Sequence, residues 1–284
     1  MASESPVPGP NIPRTFTDDE RERFVPDAPM SHRGNPARDN PTKEDRPFWK
    51  YMIAHGNTDA YSARQHLGIP YSPNSPNPVF CFDRFGRTET RLPDGRIVFI
   101  GGEHEDHYDP DFFIYNDVVV VHRRDEPAHR LPWFNMYTDD MEDAAGGSRM
   151  TAESARGARP EDIEIYRYPV EVFPPTDFHS ATYYKEEGTG KEYIFIVGGL
   201  GYPGSVHREG TATYRLDLED FSIRRMRTSG HEPPAGDGTE RITTLMGDTL
   251  EVFDDGVNYV LSLADMRWTR VEPVGRGRRV FWET

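Results

Sequence analysis

A single cysteine, Cys81, stands among 284 residues, which excludes an intrachain disulfide framework and any site built on several thiolates. It sits in the apolar run Val79-Phe80-Cys81-Phe82 and is read as a small buried hydrophobe. No apolar run approaches the roughly 20 residues that cross a bilayer. The opening stretch MASESPVPGP lacks the charged-then-apolar order of a secretion signal. A soluble, cytoplasmic chain with no membrane partner is therefore expected. Basic residues are in deficit, 33 Lys and Arg against 48 Asp and Glu for a formal charge of −15, so nucleic acid is not expected as a partner either. The one basic cluster, Arg276, Arg278 and Arg279, reads as a solvated tail. No nucleophile-elbow, phosphate-loop or dinucleotide-binding pattern occurs, which leaves those reaction classes without support.

What the chain has is turn formers and rings. Gly and Pro number 25 each and aromatic residues make up 12%, while hydrophobic residues reach only 35%. Many short strands joined by turns, with rings supplying much of the buried area, fit that profile better than long helices. Residues 1–45 are rich in Pro, Asp and Arg and read as a disordered or surface-wrapping arm. In 46–78, Thr42 is expected to cap a short helix whose Phe48, Trp49, Met52 and Ile53 share one face. A second helix starts at Asp59 and stops at Gly68. Both are expected to plug one side of the main domain, which is assigned to 79–284 with a polar insertion at 123–160.

Within 79–284 one succession recurs. Leu92-Pro-Asp-Gly95 turns into an apolar strand that ends in Gly101-Gly102, followed by strand candidates over 114–122 and 163–169. Phe178–Tyr184 then leads into Tyr193-Ile-Phe-Ile-Val-Gly-Gly199, a Gly-rich loop, Thr213–Leu218, Ile223–Thr228 and the turn around Pro233-Pro234. A third, weaker copy runs from Thr243 to Val271, with Asp254-Asp255-Gly256 in place of the paired glycines. Paired glycines at a strand end fit close backbone packing or positive φ, where a side chain has no room.

A strand ending in two glycines, a variable loop, a tyrosine-bearing strand, a further strand and a Pro-Pro turn before a His-Ser-Ala-Thr start together resemble the kelch repeat. The resemblance implies four-stranded blades and an all-β, kelch-like β-propeller, small or incomplete, with an N-terminal arm and two short helices. Closed propellers usually need at least four blades, and three copies are legible. Degenerate strands in 70–92, with Val79–Asp83 closing the ring against the C-terminal strands, are favoured as the completion; an open arc and a homodimer are the alternatives.

In such a blade the loop after the second strand and the loop to the next blade emerge on one face. That arrangement would gather the segment Glu103–Asp111, the segment 200–209, and the connections around Asp83–Glu89 and Pro174–His179. Glu103, His104, Asp106, His107 and Asp109 form a candidate set for a divalent metal, since imidazole and carboxylate suit iron, manganese or zinc. The set follows no rigid motif. Certain kelch-fold lyases place iron ligands on propeller loops in a Glu-x-x-x-Asp-x-x-x-His pattern; Glu105 and Asp109 match it here, but Phe113 takes the third place. Asp177 and His179 are a candidate carboxylate-oriented general base. Arg84 and Arg87, with Tyr108, Tyr202 and His207, are candidates for ligand binding. Kelch domains mostly act as recognition surfaces, so the resemblance implies binding of a protein or peptide partner, a basic one given the acidic surface. The alternative is a small-molecule enzyme, a metal-assisted lyase or isomerase, with its site on the same face.

Overall fold

The structure, a computed structural model, describes residues 16–28, 30, 32, 36–55, 60–68, 79–106, 109–122, 155, 158–202, 211–234, 242–254 and 256–271. They form two compact units, Met1–Asp177 and Phe178–Thr284. Among the described residues three α-helices contribute, α1 (Asp18–Phe24), α2 (Pro47–His55) and α3 (Ala60–Leu67), with a short 3-10 turn at Pro160–Asp162. None is long and apolar enough to cross a membrane. The rest is all-β, in sheets that are mainly antiparallel.

In the first unit the central sheet contains β1 (Thr42–Glu44), β2 (Thr88–Arg91), β3 (Arg96–Ile100), β6 (Asp117–His122) and β7 (Ile163–Arg167), in the spatial order β1-β7-β6-β3-β2. Four of these strands are an up-and-down meander; β1, from the N-terminal arm, adds to its outer edge with Lys43 opposite Tyr166. Between β3 and β6 the chain makes a separate two-stranded hairpin, β4 (Glu103–Asp106) and β5 (Asp109–Ile114). The 103–111 segment, read from sequence as a loop, is therefore mostly β ladder.

The arm is more ordered than its composition suggests. Thr17 and Glu20 form a reciprocal capping box at the start of α1, and Phe16 and Phe24 are buried against Tyr51. Thr42 does not cap α2, as expected from sequence; its hydroxyl accepts from the amides of Arg38 and Asp39 at 3.1 and 3.0 Å, just where β1 begins. The helix instead opens with Pro47, whose missing N–H costs nothing in a first turn. The expected buried face of α2 is present and wider than the spacing implied, since Tyr51 and Ala54 are buried as well as Phe48, Trp49, Met52 and Ile53. These side chains pack on one face of the sheet, formed by Ile97, Phe99, Val119, Val121, Ile163 and Ile165. Val79–Asp83 forms no strand; Phe80, Cys81 and Phe82 are buried in that same core.

The second unit holds two sheets. β8 (His179–Lys185), β9 (Glu192–Gly198), β10 (Thr213–Asp217) and β11 (Ile223–Arg225) form one meander, ordered β11-β10-β9-β8. β13 (Ile242–Met246), β14 (Thr249–Asp254), β15 (Val257–Ser262) and β16 (Arg267–Val271) form another, and β12 (Ser229–Gly230) joins β16 in parallel. Phe195 and Val197 of β9 pack against Leu250, Val252, Leu261 and Trp268 in the core between the two sheets.

The three meanders coincide with the three recurring sequence copies. Their shared punctuation has the expected physical basis: Gly101, Gly102, Gly198 and Gly199 all have positive φ, at 57°, 90°, 80° and 102°. At Gly102 a Cβ would lie 2.7 Å from the Arg87 Cβ and 2.9 Å from the Phe85 carbonyl oxygen, so both conformation and space demand glycine there. A second shared device was not visible in sequence. Asn116 donates from Nδ2 to the carbonyls of Tyr168 and Phe173, just before Pro174-Pro175. The Thr211 hydroxyl lies 2.7 and 2.9 Å from the carbonyls of Pro233 and Pro234. In the first two copies a polar side chain ahead of the third strand thus ties down the Pro-rich segment after the fourth.

Candidate functional site

The β4–β5 hairpin is the most distinctive element of the first unit, and its root is built with unusual care. Glu103 and Phe85 exchange both backbone hydrogen bonds, at 2.8 and 2.9 Å, and Gly102 passes its amide to the Thr176 carbonyl and accepts from the Tyr115 amide. His104 lies 2.9 Å from the Asp83 carbonyl through Nδ1, which must carry the proton to make that contact. Four stretches of chain therefore converge on the hairpin base: 83–87, 101–104, 115–117 and 176.

Beneath that base lies a fully buried ionic cluster. Arg84 and Asp117 are each 1% exposed at the side chain, and the guanidinium grips the carboxylate with two bonds of 2.6 and 3.0 Å. Two further donors go to the carbonyls of Cys81 (2.8 Å) and Gly101 (3.1 Å), so four of the five guanidinium N–H groups are engaged. The Tyr115 ring lies under it, with the guanidinium carbon 3.3 Å from the ring centroid, and the Tyr115 hydroxyl accepts from the Cys81 amide. A bidentate pair closed by carbonyl acceptors is the geometry in which a buried ion pair offsets its own desolvation.

His32, from the arm, completes the cluster. Its Nε2 is 3.3 Å from Asp117 Oδ2, and its ring stacks on Trp49 and lies near Phe80 and Tyr115. Neither ring nitrogen makes a hydrogen bond of full geometry among the described residues, so Nε2 meets Asp117 as a close polar contact. Burial holds the imidazole below its ordinary pKa; contact with Asp117 pulls the other way, and the charges of Arg167 and Arg84 lower it further. Burial by itself would raise Asp117, but Arg84 and His32 override it and hold the carboxyl well below the usual carboxylate range. The cluster is thus a neutral histidine against a charged Asp–Arg pair.

The residues singled out from sequence fall in different surroundings. Glu103 and His104 are half-buried neighbours on β4, so the pleat sends them to opposite faces of the hairpin and does not aim them at one ion. Asp106 and Asp109 sit opposite each other in the ladder. His107, Tyr108 and His207 lie outside the described residues. Among the described residues no group of three or more His, Cys, Asp or Glu is arranged to hold a metal ion. Asp177 and His179 are both buried, at 1% exposure; they fall on either side of the boundary between the units. Arg84 is committed to Asp117, not to the neighbouring acids. Arg87 is buried as well, donating to the Phe82 carbonyl and lying over the Phe82 and Phe99 rings; burial lowers its pKa to about 10. Tyr202 is half-buried beyond the second glycine pair.

Sequence reasoning missed His32, Asn116 and Asp117. Only Asp117 carried a signal: a carboxylate heading the run Val118-Val119-Val120-Val121 sits at a place where burial requires a cationic partner. Near the root of β5 the hairpin bears Phe112, 38% exposed beside the buried Phe113 and Ile114. No protein-family model matches the chain, and no curated protein matches it significantly.

Proposed function

We propose that this chain is a kelch-type recognition module, a small propeller-like protein that binds a protein or peptide partner through the β4–β5 hairpin and its neighbouring loops. The observation that carries this reading is the hairpin itself. It interrupts an otherwise regular meander between the second and third strands, and its base is fixed by backbone bonds and the Arg84–Asp117 pair. It also presents Phe112 to solvent. A finger fixed at its root and bearing an aromatic side chain enters a partner's pocket with little ordering cost. The three four-stranded meanders, two of them carrying matching glycine pairs, support the kelch comparison. The acidic excess of the chain suits a basic partner.

The test is affinity capture with the full chain, followed by mass spectrometry and then by binding measurements on the captured partner. Phe112→Ser should weaken binding at least about tenfold, as expected for loss of an aromatic anchor, while leaving the thermal transition in place. A partner bound equally well by the native chain and by Phe112→Ser would sink the assignment to the hairpin. Turnover of a small molecule, or stoichiometric metal lost in a His104→Ala/His107→Ala variant, would replace recognition with catalysis.

A further inference from the structure

We propose that the open face of the β13–β16 sheet is where two copies of this chain meet. The register of that sheet puts Phe253 opposite Asn258, and Asn258 opposite Val271, so these three side chains form one row on one face. The next row on the same face runs through Thr244, Glu251, Val260 and Thr269, and Met246 belongs to the third. The alternate residues, among them Leu250, Val252, Leu261 and Trp268, are buried against β9. On the open face Phe253 is 63% exposed, Met246 58% and Val271 40%. Of the strand residues on it, only Glu251 and Arg267 are charged, and they cancel.

Charge selects the occupant. Copies of a chain with a net charge of −15 repel one another, and a locally neutral face is where two copies can meet without setting like charges directly against each other. It is also suited to isologous pairing: a twisted sheet bearing Thr, Val, Phe and Met packs on an identical sheet at about 10 Å separation, as in a sandwich. Size sets the strength. Four strands about 4.8 Å apart and five residues at about 3.4 Å each give roughly 19 by 17 Å. Two copies would bury roughly 600–1,000 Å² of accessible surface in all, below the standard size for a stable complex. The dimer is therefore weak and depends on concentration.

Sedimentation velocity of the full chain, from about 1 to 300 µM, tests this. Expected are a monomer at the low end and a growing dimer population at the high end, with Phe253→Asp raising the dissociation constant at least about tenfold. Thr244→Asp, at an exposed position of the same face, should do the same and carries the test if the first variant folds poorly. Val170→Asp, at a position 53% exposed in the first unit, should leave the dimer unchanged. A monomer throughout the range would overturn the proposal, and so would a dimer that ignores Phe253→Asp and Thr244→Asp or that responds to Val170→Asp. Hairpin binding is read out separately, so loss of either result leaves the other standing.

Discussion

Replacing Asp117 with asparagine asks whether charge holds the base of the β4–β5 hairpin. The change preserves shape but removes the anion that faces Arg84 at 2.6 and 3.0 Å, where both side chains are 1% exposed. Arginine does not give up its proton, so the guanidinium stays charged without a counter-ion. Breaking one side of a buried pair costs about 3–5 kcal/mol, a large share of the about 5–15 kcal/mol that keeps a domain folded. Arg84→Met should cost at least as much, because it strands Asp117 and also orphans the Cys81 and Gly101 carbonyls, at about 1–3 kcal/mol each. The double variant Arg84→Met/Asp117→Leu carries no buried charge and keeps only the carbonyl penalty. Its expected cost is about 2–6 kcal/mol, less than the sum of Arg84→Met and Asp117→Leu made singly by about 3 kcal/mol or more. Hydrogen exchange of the β3 and β6 amides under native conditions reads this for the first unit alone. Additive costs, with no coupling between the two sites, would refute the reasoning.

Three further outcomes are expected. Gly230→Ala places a Cβ 2.2 Å from the Trp268 carbonyl oxygen and should break the β12–β16 pairing at a cost of about 2–4 kcal/mol. Gly247→Ala, with positive φ but open space, should cost only about 1 kcal/mol; equal losses in urea melts would show that conformation, not the contact, decides. Burial would raise the Glu164 carboxyl, yet hydrogen bonds from Lys43 and His122 hold it at about 2 instead of 4.5. Such a group adds stability above pH 4.5 that is lost as the pH falls toward 2, about 3 kcal/mol at most and about 1–2 after solvent screening of its exposed part. Glu164→Gln should flatten the acid limb of a stability–pH curve, and an unchanged limb would count against the pairing. His32, depressed by burial, is charged more readily unfolded than folded. Its contribution is complete above pH 6.5 and declines below it, so His32→Gln should remove the stability loss that sets in below about pH 6.5, read by fluorescence-monitored urea titrations.

The strand succession was legible because its signals are local. Apolar alternation, Pro-Asp-Gly at 93–95 and the glycine pairs each act within a few residues, and each turned up in a meander where expected. The helices at 47–55 and 60–67 were legible for the same reason. What stayed hidden joins distant segments. Nothing in the sequence around His32 says that it will stack on Trp49 and touch Asp117, and nothing near Thr42 announces a strand partner 125 residues away. The hairpin was misread because Glu103–Asp111 is crowded with charge and poor in β-branched residues, and propensity yields to pairing when the two strands are nearly contiguous. The same crowding made the segment resemble a ligand set, although the pleat separates Glu103 from His104. Arg84 and Arg87 were open to ligand binding only as long as burial was unknown.

One pairing bears on how the protein is made. Glu44 of β1 bonds to Arg167 of β7 across 123 residues, and the outer edge of that sheet stays open until the later strand exists. At about 5–20 residues per second of synthesis, the arm must wait roughly 6–25 s on the ribosome before it can dock. In the last part of that interval, once His122 has been made, β6 is the exposed edge of a nascent sheet, and its Val118–Val121 run is the sort of unpaired apolar strand that other chains can capture. The next connections are short by comparison, so the second unit can close soon after each strand appears. Pauses in translation between residues 122 and 163 should therefore reduce the yield of native protein more than pauses later in the chain.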